Sequence, residues 1–367
     1  MTILRSLLSN DKSPDPHIEG ISPLAAMPGG TIEVYGERLG PYLGTHLVPS
    51  TGPQIAGIPH ATLGDLPAPV LLSRPTRATI QIPDGAISSE VIVHRNGQAS
   101  NPLYMRIAVP MAENLHPVSN PAVDADGNVF STVSGSRGQA VPVSIFKIQR
   151  DFQVVPFVRD LMNATGLAFD PEGYLYASSR AEGTVYRISP EGAISTYAEG
   201  MGVATGIAFD RDGNLFVGDR SGTIFKIGRG DAFGSSGEIF VYATLEPSMA
   251  AYHLAFNDAG TLFVTGPTTS SNQSIHAIDR DGNTTVFYSG LGRAQGMAFD
   301  VDDNLYVAAS LRGQRGIIRI DSHREATLAI SGENLVGLAF LEDGCAALAT
   351  REALYHVALD IEGRRLF

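Results

Sequence analysis

Tryptophan is absent from the 367 residues, and cysteine occurs once. A single cysteine excludes an internal disulfide framework and any zinc site built on several thiolates. No apolar run approaches the 18 or more residues of a membrane-spanning helix. Basic residues are also scarce: 26 Lys and Arg stand against 38 Asp and Glu, a net charge of −12. An acidic chain is a poor general ligand for nucleic acid or an anionic membrane, and neither is expected as a partner. What the chain does have is 43% hydrophobic residues with only 17% charged, a composition that can fill a core and argues against a mostly disordered chain. Its 40 glycines and 22 prolines call for many turns.

Self-similarity dominates from residue 119 onward. Five segments share one grammar: TGLAFDPEGYLY from Thr165, TGIAFDRDGNLF from Thr205, YHLAFNDAGTLF from Tyr252, QGMAFDVDDNLY from Gln295 and VGLAFLEDGCAA from Val336. A weaker copy, SNPAVDADGNVF, begins at Ser119. The anchors Val123, Phe169, Phe209, Phe256, Phe299 and Phe340 are 46, 40, 47, 43 and 41 residues apart. Each unit runs apolar strand, acidic turn, second strand, then two more alternating strands such as TVYRI and STYAEG. Four short strands per unit of roughly 40–50 residues is the pattern of a propeller blade. Six units predict a six-bladed β-propeller over 109–367. The residue before the anchor is alanine in all six copies, from Ala122 to Ala339; small side chains there read as packing residues between neighbouring blades. The last unit lacks a fourth strand. The segment around Ile107 to Leu115 is the favoured closing strand, with the tail Arg364 to Phe367 as the alternative, because an unclosed ring leaves two open sheet edges.

Residues 16–108 hold no copy of the repeat. Short alternating strands spaced by Pro and Gly predict an immunoglobulin-like β-sandwich there, so the fold class is all-β. Residues 1–15 read as a flexible leader. Met1 to Ser9 is too short and too polar for a signal-peptide core. The location is then cytoplasmic if Met1 is the native start, and periplasmic or extracellular if a signal has been removed. The halves differ in charge: residues 1–110 carry 7 basic and 8 acidic side chains, so nearly all the excess negative charge lies in the repeats.

Ile21-Ser22-Pro23, Gly29-Gly30-Thr31, Val34-Tyr35-Gly36, Ile82-Pro83 and Val91-Ile92-Val93 with Gly97 resemble the IPT/TIG family of immunoglobulin-like domains, with a Pro-rich insertion over 42–74. The repeats, for example GIAFDRDGNLFVGDRSGTIFKI from Gly206, resemble NHL repeats and the gluconolactonase-like lactonases of the senescence-marker-protein superfamily. That second resemblance implies hydrolysis of a lactone or ester, with a divalent metal held by carboxylate and amide side chains where inner strands begin. The matching column here is Ser119, Thr165, Thr205, Tyr252, Gln295 and Val336, with no carboxylate. A hard cation prefers several oxygen ligands, some of them charged. No metal ligand and no cofactor is therefore assigned; calcium is the cation the family pattern would call for.

Several motifs read as turn chemistry. Asp124-Ala-Asp126-Gly127-Asn128 and Asp210-Arg-Asp212-Gly213-Asn214 open like calcium loops but have Gly at the fourth position and no Glu at the twelfth. Asn163, Asn272 and Asn283 begin glycosylation-type triplets. Breaks in the repeat are more informative. The column after the inner-strand start is Asn120, Gly166, Gly206, His253, Gly296 and Gly337, so Asn120 and His253 put polar side chains where four blades have glycine. They fall on the first and fourth units, opposite each other in a six-membered ring. After the second strand, Asp219 is the lone acid of its column, followed by a column with Arg180 and Arg220.

Two functions fit this pattern. One is a binding module for a small polar ligand, a carbohydrate or a protein at the central mouth bearing the inner-strand starts. Asn120, Thr165, Thr205, Tyr252, His253, Gln295, Arg180 and Arg220 are the candidate ligand-binding residues. The alternative is a lactonase-like hydrolase with His253 and Asp219 as candidate catalytic groups, since an imidazole can move protons near neutral pH.

Overall fold

A computed structural model describes residues 15–41, 59–133, 141–231, 234–269 and 272–364; the expected leader lies almost entirely outside them. The described chain is all-β apart from one 3-10 turn at Glu342–Gly344. It divides into two compact units, 1–107 and 108–367.

In the first unit, one antiparallel sheet orders His17–Ser22, Thr31–Glu37, Arg77–Gln81 and Val70–Arg74. A second set joins Leu103–Ile107, Ser89–Arg95, His60–Leu63 and Leu66–Ala68. Alternation does the sorting: Ile32 and Val34 from the first sheet, and Ala61, Val91, Val93 and Met105 from the second, point into one buried cluster. Asn101 ties down the first strand by accepting from the Ile18 amide and donating to its carbonyl, at 2.7 and 2.9 Å.

The second unit is a propeller of six four-stranded antiparallel sheets. Numbered in chain order, the blades begin with inner strands Ala122–Val123, Ala164–Phe169, Ala204–Phe209, His253–Phe256, Met297–Phe299 and Leu335–Phe340. Each inner strand lies against the next, and the sixth against the first, so the ring is complete. Closure comes from Val109–Glu113, which pairs antiparallel with Ala353–Ala358 and supplies the outer strand of the sixth blade. The ring so joins the start of the unit to its end and leaves no unpaired blade.

Two features hold neighbouring blades together. The first is aromatic. Phe130, Tyr176, Phe216, Phe263 and Tyr306 on the second strands each meet the anchor of the following blade edge to face, at 4.9–5.2 Å between ring centres. Four of them also meet a fourth-strand ring of their own blade: Phe157, Tyr197, Tyr242 or Phe287. The sixth seam is different. There Ala347 and Val123 occupy the two positions, and an aliphatic cluster with Met111, Ile148 and Leu354 fills the gap.

The second feature is the glycine column. A Cβ on Gly206 would lie 2.2 Å from the Tyr252 carbonyl oxygen, and one on Gly166 would lie 2.4 Å from that of Thr205. The closest approach of backbones is therefore at the glycines. The alanine column packs on the following blade too, as Ala208 does with Leu254 and Phe256. Gly206→Ala is expected to lower the unfolding free energy by about 1–3 kcal/mol through overpacking. Urea denaturation checks this, and an unchanged midpoint would mean the inner strands can part without cost.

Candidate functional site

The inner strands enclose a cavity of about 410 Å³ on the propeller axis. The alanine column and the anchors form its wall. At one end lie Asn120, Gly166, Gly206 and His253; at the other lie Asp124, Asp170, Pro171, Gly173 and Arg364. The cavity thus runs from the inner-strand starts to the face that carries the Phe-Asp turns.

A ring of hydrogen bonds crosses every seam near the inner-strand starts. Ser119 Oγ donates to the Thr165 carbonyl at 2.5 Å, and Ser178 Oγ donates to that of Thr205. The Tyr252 amide donates to Thr205 Oγ1 at 3.0 Å. Thr265 Oγ1 donates to the Gln295 carbonyl at 2.6 Å, and Gln295 Nε2 to that of Leu335 at 2.9 Å. Asn120 completes the circle by accepting from the Leu338 amide at 3.2 Å and donating to the Met297 carbonyl at 2.7 Å. Its single amide side chain therefore links the first blade to the fifth and sixth. A Cβ on Gly296 or Gly337 would strike Asn120 Oδ1, which explains why those two blades keep glycine where the first has Asn.

This places the sequence candidates in two groups. Asn120 and His253 line the cavity. Thr165, Thr205, Tyr252 and Gln295 are buried outside it, in the bonded ring, and Tyr252 Oη donates to the Glu246 carbonyl. Asp219 ends its second strand and Arg180 and Arg220 follow theirs, at the end away from the Phe-Asp turns. Asp219 accepts from the Val203 amide at 2.7 Å and from the Ser221 hydroxyl, which fixes a turn. Arg220 donates to the Met249 carbonyl at 3.1 Å. Burial, and then Arg220, push the Arg180 guanidinium below its ordinary range.

His253 stands apart. It is 4% exposed, lines the cavity, and its ring makes no hydrogen bond among the described residues. Burial pushes its pKa down to about 4, so the imidazole is neutral at neutral pH and keeps one donor and one acceptor. The acids at the other end are engaged. Asp124 accepts from the amide and side chain of Asn128 and lies 3.5 Å from Lys147 Nζ. Asp170 accepts from the Tyr174 amide and lies 3.8 Å from Arg187 Nε.

The calcium-loop look-alikes are hairpin turns: Asp124, Asp210 and Asp300 each accept the amide of the residue four positions on. Among the described residues no three His, Cys, Asp or Glu side chains gather as a metal-binding cluster. In the column that would carry a divalent cation in the lactonases, the side chains of Ser119, Thr165, Thr205, Tyr252 and Gln295 bond to backbone carbonyls and Val336 is apolar, so it does not fit one. Asn163 is buried, and the Asn283 amide donates to Asp279 Oδ2 at 3.0 Å. Arg364 is the lining residue that the repeat grammar does not indicate. It follows the last repeat, and no periodic signal marks it.

No protein-family profile matches this chain, and no curated protein matches it. Solved structures do. A structural-genomics protein assigned as a gluconolactonase by family superposes with a TM-score of 0.56 at 15% identity, covering 71% of this chain and 94% of its own. A gluconolactonase from Xanthomonas campestris gives 0.52 at 16% identity, covering 70% and 90%. An auxiliary nutrient binding protein from Bacteroides ovatus gives 0.51 at 10% identity, covering 94% and 98%. At such identities the likeness is one of fold, and this chain is similar in architecture to propellers of the gluconolactonase-like kind.

Proposed function

We propose that this chain is an immunoglobulin-like domain of the IPT/TIG type followed by an NHL-like propeller, and that it works as a binding module. The ligand is a small, uncharged, hydrogen-bonding molecule such as a sugar or its lactone, held in the central cavity. One observation carries the reading. His253 is a buried neutral imidazole without a protein partner among the described residues, set in a cavity whose other polar side chains are engaged. Its ring nitrogens are not among the fully enclosed polar atoms that lack a partner, so they open onto the cavity, where a ligand hydroxyl or carbonyl can bond to them. The apolar wall of alanines and phenylalanine anchors with a few polar groups suits a ligand-sized site. No ionised lining group is left over to neutralise a charged ligand. The likeness to an auxiliary nutrient binding protein over both units supports binding.

A hydrolase remains the second reading, favoured by the same group: a neutral imidazole can accept a proton from water attacking a bound lactone. One pair of measurements separates the two. Calorimetric titration of the whole chain with neutral monosaccharides and their lactones is expected to show saturable binding, weakened by about 1–3 kcal/mol in His253→Ala. Lactone turnover that falls by roughly two to four orders of magnitude in His253→Ala would establish catalysis instead. Equal affinity of the two proteins for every probe would remove His253 from the site.

A further inference from the structure

The segment Asp360–Arg364 leaves the sixth blade and returns to the fifth. Gly363 bridges to Asp300, the Val301 amide donates to the Glu362 carbonyl at 3.0 Å, and the Arg364 amide donates to the Phe299 carbonyl at 2.9 Å. In the ladder of Met297–Phe299 with Leu305–Leu311, the Asp300 amide bonds to the Asn304 carbonyl. Alternation then turns Phe299 and Val301 toward the axis. The segment therefore adds to the channel-side edge of an inner strand. Among the described residues no other blade carries such an addition.

Its fastening is polar. Arg364 Nη1 lies 2.5 Å from Asp303 Oδ1, and that same oxygen accepts the Asp258 amide at 3.2 Å, so one carboxylate joins the fourth blade, the fifth blade and the segment. Arg364 Nη2 donates to the Val301 carbonyl at 3.2 Å. Its side chain is only 10% exposed, and it borders the cavity at the end opposite His253. Gly363 is threaded beside Phe340, where a Cβ would come within 1.9 Å of the ring-bearing carbon. Ile361 is half-buried, and its amide donates to the Gly344 carbonyl at 3.3 Å. The segment's hold on the inner strand is polar: two backbone bonds and the Arg364 side chain.

We propose that Asp360–Arg364 is a strap across the mouth of the central cavity, clasped by Arg364 and Asp303, that regulates access to His253. The inference rests on the reading of that cavity as the ligand site. Molecules that reach the imidazole from this end pass the Arg364 side chain, and they pass faster when the clasp is broken. The strap is not needed for the ring itself, which is closed by Val109–Glu113.

Diethyl pyrocarbonate, which acylates neutral imidazole nitrogen, reports access directly when labelling is mapped by peptide mass. Exposed His323 is the internal reference. In Arg364→Gln, and separately in Gly363→Val, His253 is expected to label about tenfold faster than in the wild type, a change equal to about 1.4 kcal/mol less hold on the closed position. His323 should label at one rate in all three, with unchanged far-UV circular dichroism. Equal His253 rates in the three proteins, or no labelling of His253 in any, would overturn the strap. The cavity reading fails differently, by absence of calorimetric sugar or lactone binding in wild type and variants alike.

Discussion

Phe216→Ala is expected to destabilise the propeller by about 3–5 kcal/mol, the range for removing a fully buried aromatic side chain from a core. Phe216 is 2% exposed. Its ring meets Phe256 of the following blade at 5.0 Å and Tyr242 of its own blade at 4.9 Å, both edge to face. Lys226 Nζ lies 5.4 Å over the ring as well. Truncation therefore removes apolar burial, two aromatic pairs and a cation–π contact at one seam. Val123, the corresponding anchor at the sixth seam, is half-buried among aliphatics. Val123→Ala should cost about 1 kcal/mol, the loss for roughly one buried methylene or so. Chemical denaturation of both variants checks the contrast. A cost below about 1 kcal/mol for Phe216→Ala would show that the rings fill space without fastening the blades.

The propeller was legible because its repeats state the rule six times. Phe-Asp, the acidic turn and the third-strand alternation fix strand pairing locally, and repetition forces a ring. The closing strand was legible for a related reason: a sixth unit without its fourth strand must borrow one, and Val109–Glu113 is the adjacent alternating segment. The aromatic seams were visible as letters but not as pairs. Phe216 and Phe256 stand forty residues apart in sequence, and only blade stacking brings the second strand of one unit onto the anchor of the next.

The site was legible in part, and the reason is geometric. Breaks in the glycine column picked out Asn120 and His253, both of which line the cavity. The same column suggested a mouth at the inner-strand starts. At that level the backbones are crowded, because glycine lets adjacent inner strands come within the reach of a single Cβ. Thr165, Thr205 and Gln295 then spend their polar atoms on neighbouring carbonyls and amides. A sequence column shows which side chains share a level. It does not show whether they face each other across space or bond to the next strand. Arg364 carried no signal, since its place beside the cavity depends on a non-repeating return of the chain to blade five.

Lowering the pH from about 6.5 to about 4 is expected to remove stability that belongs to His253. Burial alone sets its folded pKa near 4, below the ordinary 6.5. Between those values the unfolded chain binds the proton and the folded chain does not, so stability rises with pH across that window. The contribution is fully present above about pH 6.5 and is lost progressively as pH falls to about 4. Its size is roughly 2–4 kcal/mol, since each tenfold loss of proton affinity on folding is worth about 1.4 kcal/mol. His94, His276 and His356 are lowered by burial as well and act in the same direction. The wild-type curve alone therefore does not isolate His253, but its difference from His253→Gln does, because glutamine keeps a donor and an acceptor and does not titrate. Urea unfolding of both proteins at intervals through this range should show the wild-type advantage shrinking toward pH 4. Curves that stay parallel would mean that His253 takes its proton as readily folded as unfolded, and that its ring is solvated in the folded protein.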